Sequence, residues 1–208
     1  MERSSFAYQS HFCEENVYLM AQQLLNSDRK NEGIEYYVVF ISSQSKETPI
    51  WRQYASEDRE SPVIWDYHVV LVATGNTRAI REHGLSLLFD LDSSLEFPIS
   101  AAMYCLAAFR PDLTITKEHE QTFRVIPAAI FLEYFASDRS HMLASKLPFP
   151  PWPLIQGNHA NTAMNLHEYI LMHSKEDGHL IVESRPGFGR VMNRSAFCSW
   201  CTASPPWS

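Results

Sequence analysis

The stretch Pro62-Val63-Ile64-Trp65-Asp66-Tyr67-His68-Val69-Val70-Leu71-Val72 constrains this chain more than any other. Apart from Asp66 and His68, its residues are apolar or aromatic, and β-branched Val and Ile dominate, so it is predicted to be a buried strand. Side chains alternate along a strand. Ile64, Asp66, His68 and Val70 should share one face, and Val63, Trp65, Tyr67 and Val69 the other. A strand this apolar needs cover on both faces. Its imidazole and carboxylate must then find partners or sit at a cleft, because burying a polar group unpaired costs about 1–3 kcal/mol. A satisfied core histidine is the plain structural reading of His68. A functional reading needs support from elsewhere in the chain.

With 208 residues the chain is long enough for one domain with its own core, and a single catalytic domain over 1–208 is expected, with an irregular tail from Ser195. Seventeen Lys and Arg against 24 Asp and Glu give a net charge of −7, which disfavours a nucleic-acid scaffold. No apolar run approaches the roughly 20 residues of a membrane span. The first residues, Met1 to Tyr8, lack the apolar core of a signal peptide. A cytoplasmic protein is expected, with the nucleus as a second location. The four cysteines, Cys13, Cys105, Cys198 and Cys201, do not form a disulfide framework for such a chain. Cys198 and Cys201 have CxxC spacing, but no second pair completes a zinc site.

Along the chain, Val17, Met20, Ala21, Leu24 and Leu25 repeat with helical spacing after Cys13-Glu14-Glu15-Asn16. Cys13 is thus predicted at a helix start, where backbone N–H groups and the helix dipole favour a thiolate. Glu14 and Glu15 suit the same dipole but oppose the thiolate if they point at the sulfur. A capped helix with an incidental cysteine is the structural alternative. Asn26 to Gly33 should be a polar turn. Strands are predicted at Ile34–Ile41, Pro49–Tyr54, through the central stretch to Ala73, and at Leu85–Asp92. The last two should pair as an antiparallel hairpin that makes His68 and Asp90 cross-strand neighbours. Helices are expected at Ile99–Phe109, with Cys105 as a core thiol, at Ala128–Tyr134 and at Leu166–Met172. Short strands are expected at Phe123–Ile126 and Gly189–Met192. Phe135 to Met142 reads as a polar loop outside the core, and the proline-rich Pro148–Ile155 as an extended surface segment.

Cys13, His68 and Asp90 supply a nucleophile, a base and a carboxylate that orients the base. The thiol must lose its proton, the imidazole can take it, and the carboxylate fixes the tautomer and stabilises the imidazolium. Spacing alone does not select this reading from an unassigned α/β domain.

The residues Cys13-Glu14-Glu15-Asn16, Pro49-Ile50-Trp51-Arg52-Gln53, Val63-Ile64-Trp65-Asp66-Tyr67-His68-Val69-Val70, Asp90-Leu91-Asp92, Phe97-Pro98 and Phe135-Ala136-Ser137-Asp138-Arg139-Ser140-His141-Met142 occur in the order of one family. Over residues 8 to 193 the chain resembles the protein N-terminal glutamine amidohydrolases, the WDYHV motif proteins. The resemblance implies a papain- or transglutaminase-like α/β (α+β) fold with a Cys13-His68-Asp90 triad. It also implies deamidation of an N-terminal glutamine to glutamate with release of ammonia, feeding the N-degron pathway. No metal or organic cofactor is needed, since nucleophile and base are protein groups. The expected partners are proteins or peptides that begin with glutamine, with no nucleic acid and no membrane, and the chain is expected to act as a monomer. Two departures stand out: a longer turn between His68 and Asp90, and an unusual tail with Cys198, Trp200, Cys201 and Pro205-Pro206-Trp207.

Sensing a chain terminus requires a carboxylate for the α-ammonium. Asp66 and Asp138 are the candidates, with Trp65 and Tyr67 as further substrate-binding residues. Asp66 could equally bond a neighbouring loop, and Asp138 could pair with Arg139. Three other functions fit the same residues: a thiol protease, a transglutaminase, and a non-catalytic module that holds N-terminal residues.

Overall fold

The computed structural model describes residues 1–27, 33–58, 60–82, 84–172, 181–182 and 188–202. Most of the turn expected at Asn26–Gly33, and Pro205-Pro206-Trp207, lie outside the described residues. In chain order the elements are α1 (Cys13–Asn26), β1 (Ile34–Ser42), β2 (Thr48–Ile50), β3 (Val63–Trp65), β4 (Tyr67–Gly75) and α2 (Arg78–Arg81). Then follow β5 (Ser86–Phe89), β6 (Ile99–Ser100), α3 (Ala101–Ala108), β7 (Thr122–Pro127), α4 (Ala128–Tyr134) and β8 (Ala136–Ser137). The chain continues through β9 (Ile155–Gln156), α5 (Leu166–Ile170), β10 (Ile181–Val182), β11 (Arg190–Asn193) and α6 (Arg194–Thr202). The fold is α+β. Its main sheet runs β10-β11-β7-β1-β4-β5-β6, and every strand pair in it is antiparallel.

The apolar stretch is the middle of this sheet, covered on both faces as its composition requires. Val69, Leu71 and Ala73 of β4 pack with Val17, Met20, Ala21 and Leu24 of α1 and with Phe131 of α4. Val70 and Val72 pack on the other side against Tyr104 and Ala108 of α3 and Phe197 of α6. Each fully buried Val, Leu, Met or Phe among them contributes about 1.5–3 kcal/mol, which holds β4 firmly beside the site.

Several expectations are corrected. The central strand is interrupted at Asp66: β3 pairs with β2, while β4 enters the main sheet. Asp is disfavoured within strands, and here its Oδ1 accepts the Tyr67 N–H at 2.9 Å in place of a ladder bond. The break undoes the simple alternation of faces, so Trp65 stacks on His68 with ring centroids 5.2 Å apart. The strand expected at Pro49–Tyr54 stops at Ile50, and Arg52 then takes a left-handed turn (φ 60°). The tail expected to be irregular from Ser195 is helical over Arg194–Thr202, burying Phe197, Trp200 and Cys201 on one face. Cys105 is buried, as expected of a core thiol.

Phe135–Met142 is corrected most. Phe135, Ala136, Ser137 and Arg139 are buried rather than looped out into solvent. Polar groups enter a core when they are paired, and Arg139 is paired thoroughly. Its guanidinium donates from Nε to Glu15 Oε1 at 2.9 Å and from Nη2 to Glu15 Oε2 at 2.8 Å. It also reaches the carbonyls of Pro150, Trp152 and Pro153. Trp152 Nε1 donates to the same Glu15 Oε2 at 2.7 Å. One buried pair thus ties the first turn of α1 to two segments far away in sequence. Arg139→Met leaves the Glu15 carboxylate buried without its cation and should cost about 3–5 kcal/mol. A denaturant midpoint measurement checks this, and Glu15→Leu combined with Arg139→Met should recover part of the loss.

Candidate active site

Cys13 opens α1, whose N-cap residue Phe12 supplies no side-chain cap to the first-turn amides. The thiol is buried and borders a cleft of about 640 Å³. Trp65, Asp66, Tyr67 and Asp92 line the cleft from the β3–β4 and β5 ends, with Ser140, His141 and Met142 facing them. Sγ donates to Glu14 Oε2 at 3.7 Å, and the same oxygen accepts the Tyr67 hydroxyl at 2.9 Å. His141 Nε2 stands 3.5 Å from the other oxygen of Glu14. Glu14 is therefore a wholly buried carboxylate that points at the sulfur, the orientation that opposes a thiolate. Burial raises the Cys13 thiol well above its ordinary value, and the charges of Glu14 and Asp92 raise it further, while the Val69 N–H pulls the other way.

His68 is fully buried in β4, directly before Val69. Continuing the β4–β5 register places Asp90 opposite Val70, so His68 and Asp90 meet as a diagonal cross-strand pair. Their separation is 2.9 Å between Nε2 and Oδ1. Three further donors converge on that carboxylate: Tyr104 OH at 2.6 Å, Gln53 Nε2 at 3.1 Å and the Asp92 N–H at 2.9 Å. Burial disfavours the charged forms of both partners, but their mutual attraction prevails. His68 is raised and Asp90 lowered from their ordinary values. With Nε2 on Asp90, the other ring nitrogen, Nδ1, is buried without a hydrogen-bond partner among the described residues.

The structure thus joins His68 to Asp90 and sets Cys13 at the cleft, its sulfur against the amide that follows His68. Among the described residues no hydrogen bond links the thiol to the imidazole. Trp65, Tyr67 and Asp66 line the cleft with Cys13. Asp138 is not part of the lining: its Oδ1 accepts the Ser140 N–H at 2.9 Å and starts the turn that carries His141. Sequence reasoning missed Asp92, His11, His141 and His167, which all line the cleft. Asp92 and His141 had a signal, since both lie in motifs that carry the family resemblance; His11 and His167 had none beyond their type. A cluster of His68, Asp90 and Asp92 brings potential ligand atoms within 4.8 Å of one another, but Nε2 and both Asp90 oxygens are already engaged within the protein.

These shifts fix the sign of a pH effect. Asp90 is depressed in the folded protein, so its contribution is complete above the ordinary carboxylate range and is lost as pH falls through the folded value. His68 is raised, so its contribution is complete below the ordinary histidine value and is lost as pH rises through the folded one. Asp90→Asn should flatten both limbs of a stability–pH curve and move the His68 titration, followed by NMR, to lower pH.

Comparison with known proteins identifies the family. The family model described as N-terminal glutamine amidase matches residues 8–201. A human protein named protein N-terminal glutamine amidohydrolase is 39% identical over 199 residues, covering 94% of this chain and 87% of its own length. Relatives of the same name from Danio rerio and Oryza sativa subsp. indica are 37% and 39% identical, over 91% and 83% of this chain and 86% and 75% of theirs. With a match across nearly its whole length, the chain belongs to the N-terminal glutamine amidase family.

Proposed function

We propose that this protein hydrolyses the γ-amide of an N-terminal glutamine, consuming water and yielding glutamate and ammonia, through a Cys13-His68-Asp90 triad. The reading rests on family membership together with one observation: a cysteine at a helix start borders a cleft lined by Trp65, and Trp65 stacks on a buried His68 that is paired with Asp90 and whose second ring nitrogen has no hydrogen-bond partner among the described residues. Nδ1 is the atom left to take the thiol proton. Cys13 Sγ attacks the amide carbon, and Asp90 stabilises the imidazolium formed. The uncapped first-turn amides of α1, including that of Cys13, offer donors to the oxyanion. His68 returns the proton to the departing ammonia, leaving a γ-glutamyl thioester. It then activates the water that hydrolyses the thioester. This chemistry is that of papain- and transglutaminase-like hydrolases, and its product would enter the N-degron pathway in the cytoplasm or nucleus.

A cleft lined by three histidines and two aspartates, bounded by bulky Trp65 and Met142, suits one small polar residue at a chain end. Cys13→Ala and Cys13→Ser should each reduce ammonia release from a Gln-initiated peptide by at least about 10³-fold. Mass spectrometry of the peptide before and after incubation reads the amide-to-acid conversion. Retained conversion in either variant overturns the assignment, and cleavage of an internal peptide bond by the wild type would favour a protease.

A further inference from the structure

We propose that Asp92 is the residue that receives the α-ammonium of the substrate, so that it, rather than Asp66 or Asp138, selects a free chain end. This inference rests on the activity proposed above. The amide carbon and the α-nitrogen of one glutamine are separated by four bonds. A carboxylate that senses the amine must therefore stand close to the nucleophile while facing the same space. Asp92 meets both conditions. It lines the cleft with Cys13, and a carboxylate oxygen lies within 4.8 Å of the ligand atoms of His68 and Asp90.

Asp92 is also held in place on every side. The Tyr8 hydroxyl donates to its Oδ1 at 2.6 Å. Its own N–H donates to Asp90 Oδ1 at 2.9 Å, and its carbonyl accepts the Tyr54 N–H at 2.8 Å. Among the described residues no hydrogen bond or ion pair joins its carboxylate to a Lys or Arg, and the ionisable groups with the largest effect on it are His68, Asp90, Tyr8 and His11. Burial and the neighbouring Asp90 charge raise its pKa, with His68 opposing. A partly buried carboxylate whose charged form is disfavoured gains from a nearby cation.

The alternatives fit less well. Asp138 lies outside the lining and caps a turn. Asp66 lines the cleft but is not grouped with the His68–Asp90 pair as Asp92 is. Its charge also acts on the Cys13 sulfur less than that of Asp92 does. The location of Asp92 has a further consequence. A substrate ammonium placed there offsets one of the charges that raise the Cys13 thiol.

The test compares three peptides that differ only at the first residue: Gln with a free amine, Gln with an acetylated amine, and the same residue with hydrogen in place of the amine. Asp92→Asn should lower kcat/KM for the free peptide about 10- to 100-fold, the loss of a charge-assisted contact. It should also shrink the preference over the other two peptides, while Asp66→Asn keeps that preference. Tyr8→Phe, which only frees the carboxylate, should raise KM severalfold with kcat retained. An unchanged preference in Asp92→Asn, or its loss in Asp66→Asn alone, overturns the inference. Should Asp92→Asn lose all turnover, peptide binding to Cys13→Ala and to Cys13→Ala/Asp92→Asn decides. Selective loss of the free peptide's advantage supports Asp92, and equal weakening of free and acetylated peptides refutes it. A wild-type protein that releases no ammonia would refute the activity alone, because the binding arm still reports on Asp92.

Discussion

Asp90 is a buried carboxylate whose two oxygens accept four hydrogen bonds, from His68, Tyr104, Gln53 and the Asp92 amide. Those donors come from β4, from α3, from the segment after β2, and from the chain just beyond β5. Removing a carboxylate from water is costly, and only a full set of donors makes it tolerable. The same set fixes the geometry around it: the ring plane of His68, the docking of α3 on the sheet, and the direction in which the chain leaves β5. The layer behind the cleft is therefore a consequence of how one charge is solvated by protein. Trp65, which lines the cleft, stacks on the imidazole of that layer.

The opposite wall depends on a second buried charge. Glu15 and Arg139 pair within the core, and Trp152 shares the carboxylate. Arg139 takes a left-handed backbone conformation (φ 63°), which costs a non-glycine residue about 1–2 kcal/mol, and its six hydrogen bonds to Glu15 and three carbonyls hold it there. The pair sets the first turn of α1 against the segment bearing Ser140 and His141, so Cys13 and that segment are positioned together. Adjacent glutamates then serve different ends. Glu15 is satisfied by a cation and is structural, whereas Glu14 lies against the sulfur and disfavours the thiolate. Burial and the Glu14 carboxylate thus both raise the Cys13 thiol above its ordinary value.

How far the sequence could be read follows the range of the interactions involved. Elements set by local periodicity appear where expected: α1 from its i, i+3, i+4 spacing, α4 at Ala128–Tyr134, and the β4–β5 hairpin. The helix α6 was misread, although Phe197, Trp200 and Cys201 carry helical spacing that burial then enforces. The segment Phe135–Met142 was judged by its count of polar groups. That count cannot reveal a partner 124 residues away, and the partner is what carries Arg139 into the core. The same blindness made Asp138 a candidate beside the site and passed over Asp92 within it.

From its order of residues alone, this chain determines its central apolar strand, its family, and the three residue types of a cysteine hydrolase, because these are properties of local pattern and motif. Only the tertiary structure decides which nitrogen of His68 meets Asp90, which glutamate faces the sulfur, and which aspartate reaches the cleft. Those outcomes depend on desolvation and on pairing between distant segments, and both arise only when the chain has packed.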